Sequence, residues 1–144
     1  MSRYLVVAHQ TARSAELREQ LCQIAEDDED ARFVLVVPAA PVRHLLVWEE
    51  GETLEFARRC ARDACAELAA AGLRMAACRV GDGDPLLAVA DAVADHPDCA
   101  AVIISTLSPG VSRWLRLDVI NRARRLLRGR RLIHAEVSNR TQVA

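Results

Sequence analysis

A hydroxyl-rich segment at residues 105–113 carries the strongest chemical signal in this sequence. Four hydroxyl side chains and a glycine lie between an apolar run and an amphipathic one, which is the pattern of a strand-to-helix loop. Backbone N–H groups at a helix N-terminus favour an anion, and arginine adds charge-assisted hydrogen bonds. We therefore predict a site for a phosphate or another small anionic ligand. The residues assigned to it here are Ser105, Thr106, Ser108, Gly110, Ser112 and Arg113.

The same segment has a purely structural interpretation. Ser112 would cap the following helix, and the other hydroxyls would satisfy the backbone of the turn. Both interpretations stay open at this point.

A second polar segment follows the first apolar run, at His9 and Thr11. We predict that these side chains face the 105–113 loop and complete the ligand site. A lone histidine without a nucleophile or carboxylate partner nearby in the sequence is more typical of a polar lining residue than of a general base. The sequence contains no recognisable nucleophile–base pair, P-loop or metal-ligand cluster, so we assign no catalytic and no metal-binding residue. A phosphate-handling enzyme is kept as an alternative hypothesis.

Five short apolar segments must position these loops. They span residues 3–9, 32–38, 73–80, 100–105 and 131–137 and alternate with helical patterns. Nearly continuous hydrophobicity is typical of parallel strands that are buried on both faces. With right-handed crossovers, the sequence predicts a single doubly wound α/β sheet of five parallel strands, in the order 3-2-1-4-5, with helices on both faces. Ligands of such sheets bind where the winding reverses, between strands one and four, and both polar loops follow those strands.

The helical patterns have recognisable ends. An apolar stripe from Leu54 to Ala71 predicts the second helix, which Gly72 terminates. Asp84 and Pro85 predict the start of the third helix, and the fourth is expected over residues 112–128. Residues 39–51 are long for a loop; they could cap the ligand site, contact a partner or extend the second helix backward.

Length and composition favour one domain over residues 1–144, with a C-terminal tail at 138–144. No apolar run approaches the roughly 20 residues of a membrane span, and the first apolar run is too short for a signal peptide, so we expect no membrane partner and a cytoplasmic location. The five cysteines are interpreted as reduced, small buried hydrophobes. Arginines concentrated in residues 122–131 are interpreted as a solvated face, and nucleic acid is not an expected partner.

The chain resembles the universal stress protein family over nearly its whole length. The resemblance lies in the strand–helix order, in the turn at residues 83–85 that opens the third helix, and in the loop after strand four with residues 113–116. In ATP-binding members of the family that loop reads G-x2-G-x9-G-[S/T], and an aspartate ends the first strand. The corresponding positions in this sequence are Ser105, Ser108, Asp118, Val119 and, for the aspartate, His9.

This resemblance implies a regulatory or ligand-binding protein in which ATP does not bind in the usual manner, because the glycines that let the backbone approach phosphates are replaced. An aspartate at position 118 would also repel a phosphate. ATP or AMP bound through an altered loop is the alternative, and the cofactor is left unassigned. The resemblance further implies a homodimer formed through the last strand, whose edge would otherwise be uncovered. The alternative is that the tail at 138–144 covers this edge.

Overall fold

Five strands alternate with four helices along the chain, in the predicted order. The structure is a computed structural model that describes residues 2–9, 11–39, 50–107, 117–127 and 129–137. The strands are β1 Ser2–Val7, β2 Ala31–Pro38, β3 Met75–Gly81, β4 Ala101–Leu107 and β5 Arg131–Val137. The helices are α1 Ala15–Asp27, α2 Glu50–Ala70, α3 Pro85–Asp95 and α4 Leu117–Leu127.

The strands form one parallel sheet in the order β3-β2-β1-β4-β5, which confirms the predicted topology. In its register, Val7 of β1 lies opposite Val36 of β2 on one side and Ile104 of β4 on the other. The chain winds from β1 toward β3 and then returns to β4. The carboxyl ends of β1 and β4 therefore meet at the point where the winding reverses.

Each face of the sheet is covered by two helices, and this explains the continuous hydrophobicity of the strands. One core contains Leu17 of α1 and Ala61 of α2 against strand residues such as Val6. The other contains Ala88 of α3, Ala123 of α4 and strand residues such as Val7. Because successive strand side chains point to opposite faces, both Val6 and Val7 must be apolar.

Local signals fix the helix ends. The Ser14 hydroxyl accepts a hydrogen bond from the Glu16 backbone N–H at 3.1 Å, and this begins α1. Asp84 accepts from the Leu86 N–H at 2.9 Å, with proline in the first turn, as predicted for α3. Gly72 takes φ 96° just after α2, a left-handed conformation that favours glycine.

Two predicted segments are only partly described. Helix α2 begins at Glu50, so the last two residues of the 39–51 segment extend that helix backward. Residues 40–49 lie outside the described part of the chain, and the other two alternatives for them stay predictions. The fourth helix is described over Leu117–Leu127, within the predicted 112–128.

The prediction that all five cysteines are reduced is wrong for two of them. Cys65 of α2 and Cys78 of β3 form a disulfide, with their Cα atoms 6.0 Å apart. The α2–β3 turn folds the strand back along the helix, so that residues 13 positions apart in sequence become neighbours. Cys22, Cys60 and Cys99 are free thiols.

The outer surface of α4 is basic. Arg122, Arg124 and Arg125 are all exposed on it, as expected of a solvated face. In the described part of the chain, no helix combines the length and the apolar character needed to cross a lipid bilayer.

Candidate ligand-binding site

The loop after β1 is joined to the last part of β4 by a hydrogen bond between two buried hydroxyls. Thr11 Oγ1 lies 2.5 Å from Ser105 Oγ. The two residues are only 2% and 1% exposed, respectively. Val7 and Ile104 are paired in the sheet, so β1 ends next to Ser105, whereas β4 continues to Leu107. Parallel pairing thus brings together side chains that are 94 residues apart in sequence.

A tight turn carries Thr11 back toward the sheet edge. The Thr11 carbonyl oxygen accepts from the Ser14 backbone N–H at 2.9 Å, and the His9 carbonyl accepts from the Ala12 N–H at 3.3 Å. Ser14 is itself buried and caps α1 directly after this turn. The start of α1 therefore fixes the position of the Thr11 hydroxyl.

His9 is buried at the same edge, with 4% of its surface exposed. Helix α2 reaches its backbone, because the Cys60 thiol donates to the His9 carbonyl oxygen with an Sγ–O distance of 3.9 Å. Burial raises the pKa of the Cys60 thiol, and the positive charge of Arg13 opposes this effect only in part. Cys60 thus stays a protonated donor at neutral pH, in contact with the crevice backbone.

An ion pair joins the turn to α2 on the outer surface. Arg13 Nη2 lies 2.6 Å from Glu67 Oε1, and both side chains are substantially solvent-exposed. The hydrogen bond and the charge of Glu67 raise the pKa of Arg13. An exposed pair of this kind contributes less than about 1 kcal/mol, so it orients the turn more than it stabilises the fold.

The structure brings together part of the predicted site. His9, Thr11 and Ser105 lie at one sheet edge, and Thr106 follows in β4 opposite Glu136 of β5. The other predicted ligand residues lie outside the described ranges, and their roles stay predictions. These are Ser108, Gly110, Ser112 and Arg113.

Two residues near the crevice were not predicted. Ser14 could have been found as a hydroxyl residue directly before a helical pattern, which is a capping signal. Cys60 lies in α2 between Ala57 and Ala61, two buried residues of the apolar stripe. Helical periodicity therefore places it near the sheet, but only the packing of α2 against the β1 turn brings it to His9.

Thr11 and Ser105 provide the crevice with two neutral polar side chains. The Thr11 and Ser105 hydroxyls each donate and accept, so either one can turn a proton toward an oxygen of a ligand. Asp118, at the position of the third glycine of the ATP motif, lies within α4. The described part of the crevice can thus bind through hydrogen bonds, with no covalent step required.

Solved structures provide the comparison with known proteins. A universal stress family protein from Burkholderia pseudomallei superposes with a TM-score of 0.62 at 17% identity, over 94% of this chain and 95% of that one. A universal stress protein in complex with cAMP superposes with a TM-score of 0.53 at 15% identity, over 96% of this chain and 98% of that one. No protein-family model and no curated protein matches the sequence. In its strand order and in nearly its whole length, the chain has the universal stress protein fold.

Proposed function

We propose that this chain is a single-domain regulatory or ligand-binding protein of the universal stress type, acting in the cytoplasm as a homodimer. Its crevice between β1 and β4 takes a small anionic ligand and does not hold ATP in the manner of the family's ATP-binding members. The observation that carries the proposal is the hydrogen bond between Thr11 and Ser105.

Ser105 stands where the ATP-binding motif has its first glycine. A glycine there leaves the backbone open to phosphate oxygens. In this chain, the position carries a side chain that is 1% exposed and bonded to Thr11. A triphosphate approaching this backbone would have to displace a buried hydroxyl pair, which costs about 1–3 kcal/mol for each hydroxyl left unpaired.

Charge and lining favour an anion that is smaller than ATP. Residues 73–144 contain 11 arginines against 7 acidic residues, whereas residues 1–72 contain 8 against 13. The C-terminal half, which provides β4 and its loop, is therefore the more basic one. The neutral hydroxyls of Thr11 and Ser105 offer hydrogen bonds that suit one phosphate or carboxylate group.

The homodimer would form through β5. This strand lies at an edge of the sheet and pairs with β4 on its other side. Leu132 and Ile133 are partly exposed along it. An edge strand with apolar side chains is a template for pairing with a second copy. Sedimentation of the full chain tests this part of the proposal: a monomer at micromolar concentration would contradict it.

A thermal-shift panel tests the ligand. Inorganic phosphate, AMP, cAMP and ATP are titrated against the full chain, since a ligand of the native state raises the Tm with its concentration. We expect stabilisation by at least one of the three smaller anions and none by ATP. A rise in Tm with ATP that equals or exceeds those of the smaller anions would overturn the proposal.

A pair of variants at one position sharpens this test. Ser105→Gly restores the glycine of the ATP motif, whereas Ser105→Ala removes the same hydroxyl but keeps a Cβ atom. If the side chain at this position excludes ATP, Ser105→Gly gains affinity for ATP relative to Ser105→Ala. Equal ATP affinity of the two variants would mean that Ser105 does not decide the ligand.

The second candidate is an adenine-nucleotide-binding protein with an altered phosphate loop. It is favoured by one solved relative in fold, a universal stress protein in complex with cAMP. In the same panel, this candidate predicts stabilisation by AMP, cAMP and ATP but not by inorganic phosphate. The adenine ring would then supply the binding energy that the loop lacks.

A further inference from the structure

The disulfide between Cys65 and Cys78 lies at an accessible edge of the molecule. Cys65 is on α2, and Cys78 is on β3, which is an edge strand of the sheet. Both cysteines are partly exposed to solvent. The neighbouring strand residues Ala76 and Ala77 are more exposed than the cysteines. A disulfide that solvent can reach exchanges with external thiols more readily than a buried one.

The two cysteines line a cleft between α2 and β3. This α2–β3 cleft has a volume of about 870 Å³, within the range of small-molecule sites. Part of its wall is apolar, with Leu54, Ala61 and Val80, and the exposed arginines Arg58 and Arg62 of α2 also line it. None of the described residues that line it is acidic.

The arginines of the cleft differ in how far they are neutralised. The Arg79 backbone borders the cleft, but its guanidinium pairs at 2.5 Å with Asp95 of α3, on the other face of the sheet. Arg62 lies 3.7 Å from Asp63. Arg58 forms no ion pair with an acidic residue in the described ranges. Its exposed guanidinium is thus available to a carboxylate of an incoming molecule, which arginine binds in a bidentate manner.

We propose that Cys65 and Cys78 form a reversible thiol–disulfide exchange site, and that the α2–β3 cleft binds low-molecular-weight thiols that carry carboxylates. The proposal is independent of the crevice between β1 and β4. It joins two observations: an accessible disulfide, and a cationic cleft next to it that matches an anionic thiol.

The reaction balances in two steps. The thiolate of the small thiol attacks one cysteine sulfur, so that a mixed disulfide forms while the Sγ–Sγ bond breaks and the other cysteine leaves as a thiolate. A second small thiolate then attacks the mixed disulfide, releasing the small-molecule disulfide and the second cysteine thiolate. The protein gains two electrons and, after protonation by water, two protons; the small-molecule disulfide is the oxidant for the reverse reaction. The positive charge of Arg58 and Arg62, which line the same cleft as both cysteines, favours the thiolates that leave.

Exchange kinetics of the full-length oxidised protein provide the test. The protein is mixed with reduced glutathione, which carries carboxylates, or with 2-mercaptoethanol, which carries none. Samples are quenched with acid and analysed by mass spectrometry with peptide mapping. We expect the Cys65–Cys78 bridge to open with both reagents through a mixed disulfide at one of these two residues.

Two arginine variants separate docking from simple collision. Arg58→Ala is expected to slow exchange with glutathione about two- to fivefold, which is the effect of losing one solvent-exposed ion pair. The exchange rate with 2-mercaptoethanol should stay unchanged. Arg122→Ala is the control, since Arg122 is exposed on α4, which covers the opposite face of the sheet from α2. Equal glutathione rates for the two variants would overturn the role of the cleft.

The cysteine variants test the exchange site itself. With oxidised glutathione, the Cys65→Ser variant should take up one glutathionyl group on Cys78. The Cys78→Ser variant should take up one on Cys65. Cys22→Ser, at a partly exposed free thiol, should exchange like the unaltered protein. A bridge that does not open in the unaltered protein at millimolar glutathione would refute the proposal, and this measurement does not depend on whether a variant folds.

Discussion

Thr11 and Ser105 share a hydrogen bond of 2.5 Å between Oγ atoms that are almost completely shielded from solvent. The bond connects the turn that precedes α1 to the last part of β4, across the place where the sheet changes winding direction. Two hydroxyls that satisfy each other can be buried at little cost, whereas either one alone cannot. The pair is thus both a structural link and the floor of the proposed site.

The first prediction concerns the energetic coupling of this pair. Thr11→Val and Ser105→Ala should each lower the free energy of unfolding by about 1–3 kcal/mol, because each leaves a buried hydroxyl without its partner. The double variant should lose less than the sum of the two, as measured by urea denaturation. Thr11→Ser, which keeps the hydroxyl, is the control. Strict additivity would show that the two hydroxyls do not interact.

The second prediction concerns the start of α3. Asp84→Ala should cost about 1 kcal/mol of stability, because the carboxylate no longer accepts the Leu86 backbone N–H. Asp84→Asn keeps an acceptor in the same place and should cost less. Urea denaturation of both variants provides the comparison. A larger loss for asparagine than for alanine would mean that Asp84 acts through its charge elsewhere and not as a cap.

The third prediction uses the only tyrosine of the sequence. Burial, followed by the hydrogen bond to Asp28 at 3.0 Å, raises the pKa of Tyr4 above its ordinary value of 10.0. Phenolate absorbance of the native protein should therefore appear at higher pH than that of the denatured chain. Asp28→Asn should reduce this shift, because the negative charge that opposes the phenolate is removed. Identical native and denatured titration curves would contradict the contact.

The same contact predicts how stability depends on pH at both ends of the range. Hydrogen bonds from Ser2 and then Tyr4 lower the pKa of Asp28 below its ordinary 3.8. Asp28 therefore contributes to the free energy of unfolding above pH 3.8, and this contribution is lost as the pH falls through the lowered native pKa. The raised pKa of Tyr4 has the opposite effect. Tyr4 contributes to the free energy of unfolding below pH 10.0, and this contribution is lost as the pH rises through the native pKa. Tyr4→Phe should flatten the alkaline limb of a plot of unfolding free energy against pH. An unchanged alkaline slope in that variant would assign the loss to other groups.

The fourth prediction concerns the close approach of α3 to the sheet. A Cβ atom on Gly81 would lie 2.7 Å from Val36 Cγ1 and 3.1 Å from Ala88 Cβ. Gly81→Ala should therefore destabilise the protein by about 1–3 kcal/mol through overpacking. Combining it with Val36→Ala removes the closest atom, so the double variant should be more stable than the sum of the single losses predicts. A neutral Gly81→Ala variant would mean that the Val36 side chain and α3 both shift away from position 81 without cost.

Much of the fold was determined by patterns within the sequence. Continuous apolar runs such as residues 32–38 can only be buried on both faces, which requires a parallel sheet between two layers of helices. Right-handed crossovers then leave few strand orders, and the predicted order 3-2-1-4-5 is the one observed. Helix starts were equally local, because the Asp84 carboxylate accepts the Leu86 backbone N–H two residues away and Pro85 occupies the first turn of α3. These features follow from short-range periodicity and from backbone hydrogen bonding.

The contacts between distant side chains were decided by tertiary packing alone. Two polar loops at one sheet edge could be predicted, but the bond from Thr11 to Ser105 depends on how the turn before α1 folds back. The cysteines show the same limit: on α2, Cys60 meets the His9 backbone while Cys65 meets Cys78 on the edge strand. Periodicity places the two on different faces of the helix. Only the rotation of α2 about its axis and its position over β3 determine which neighbour each one meets.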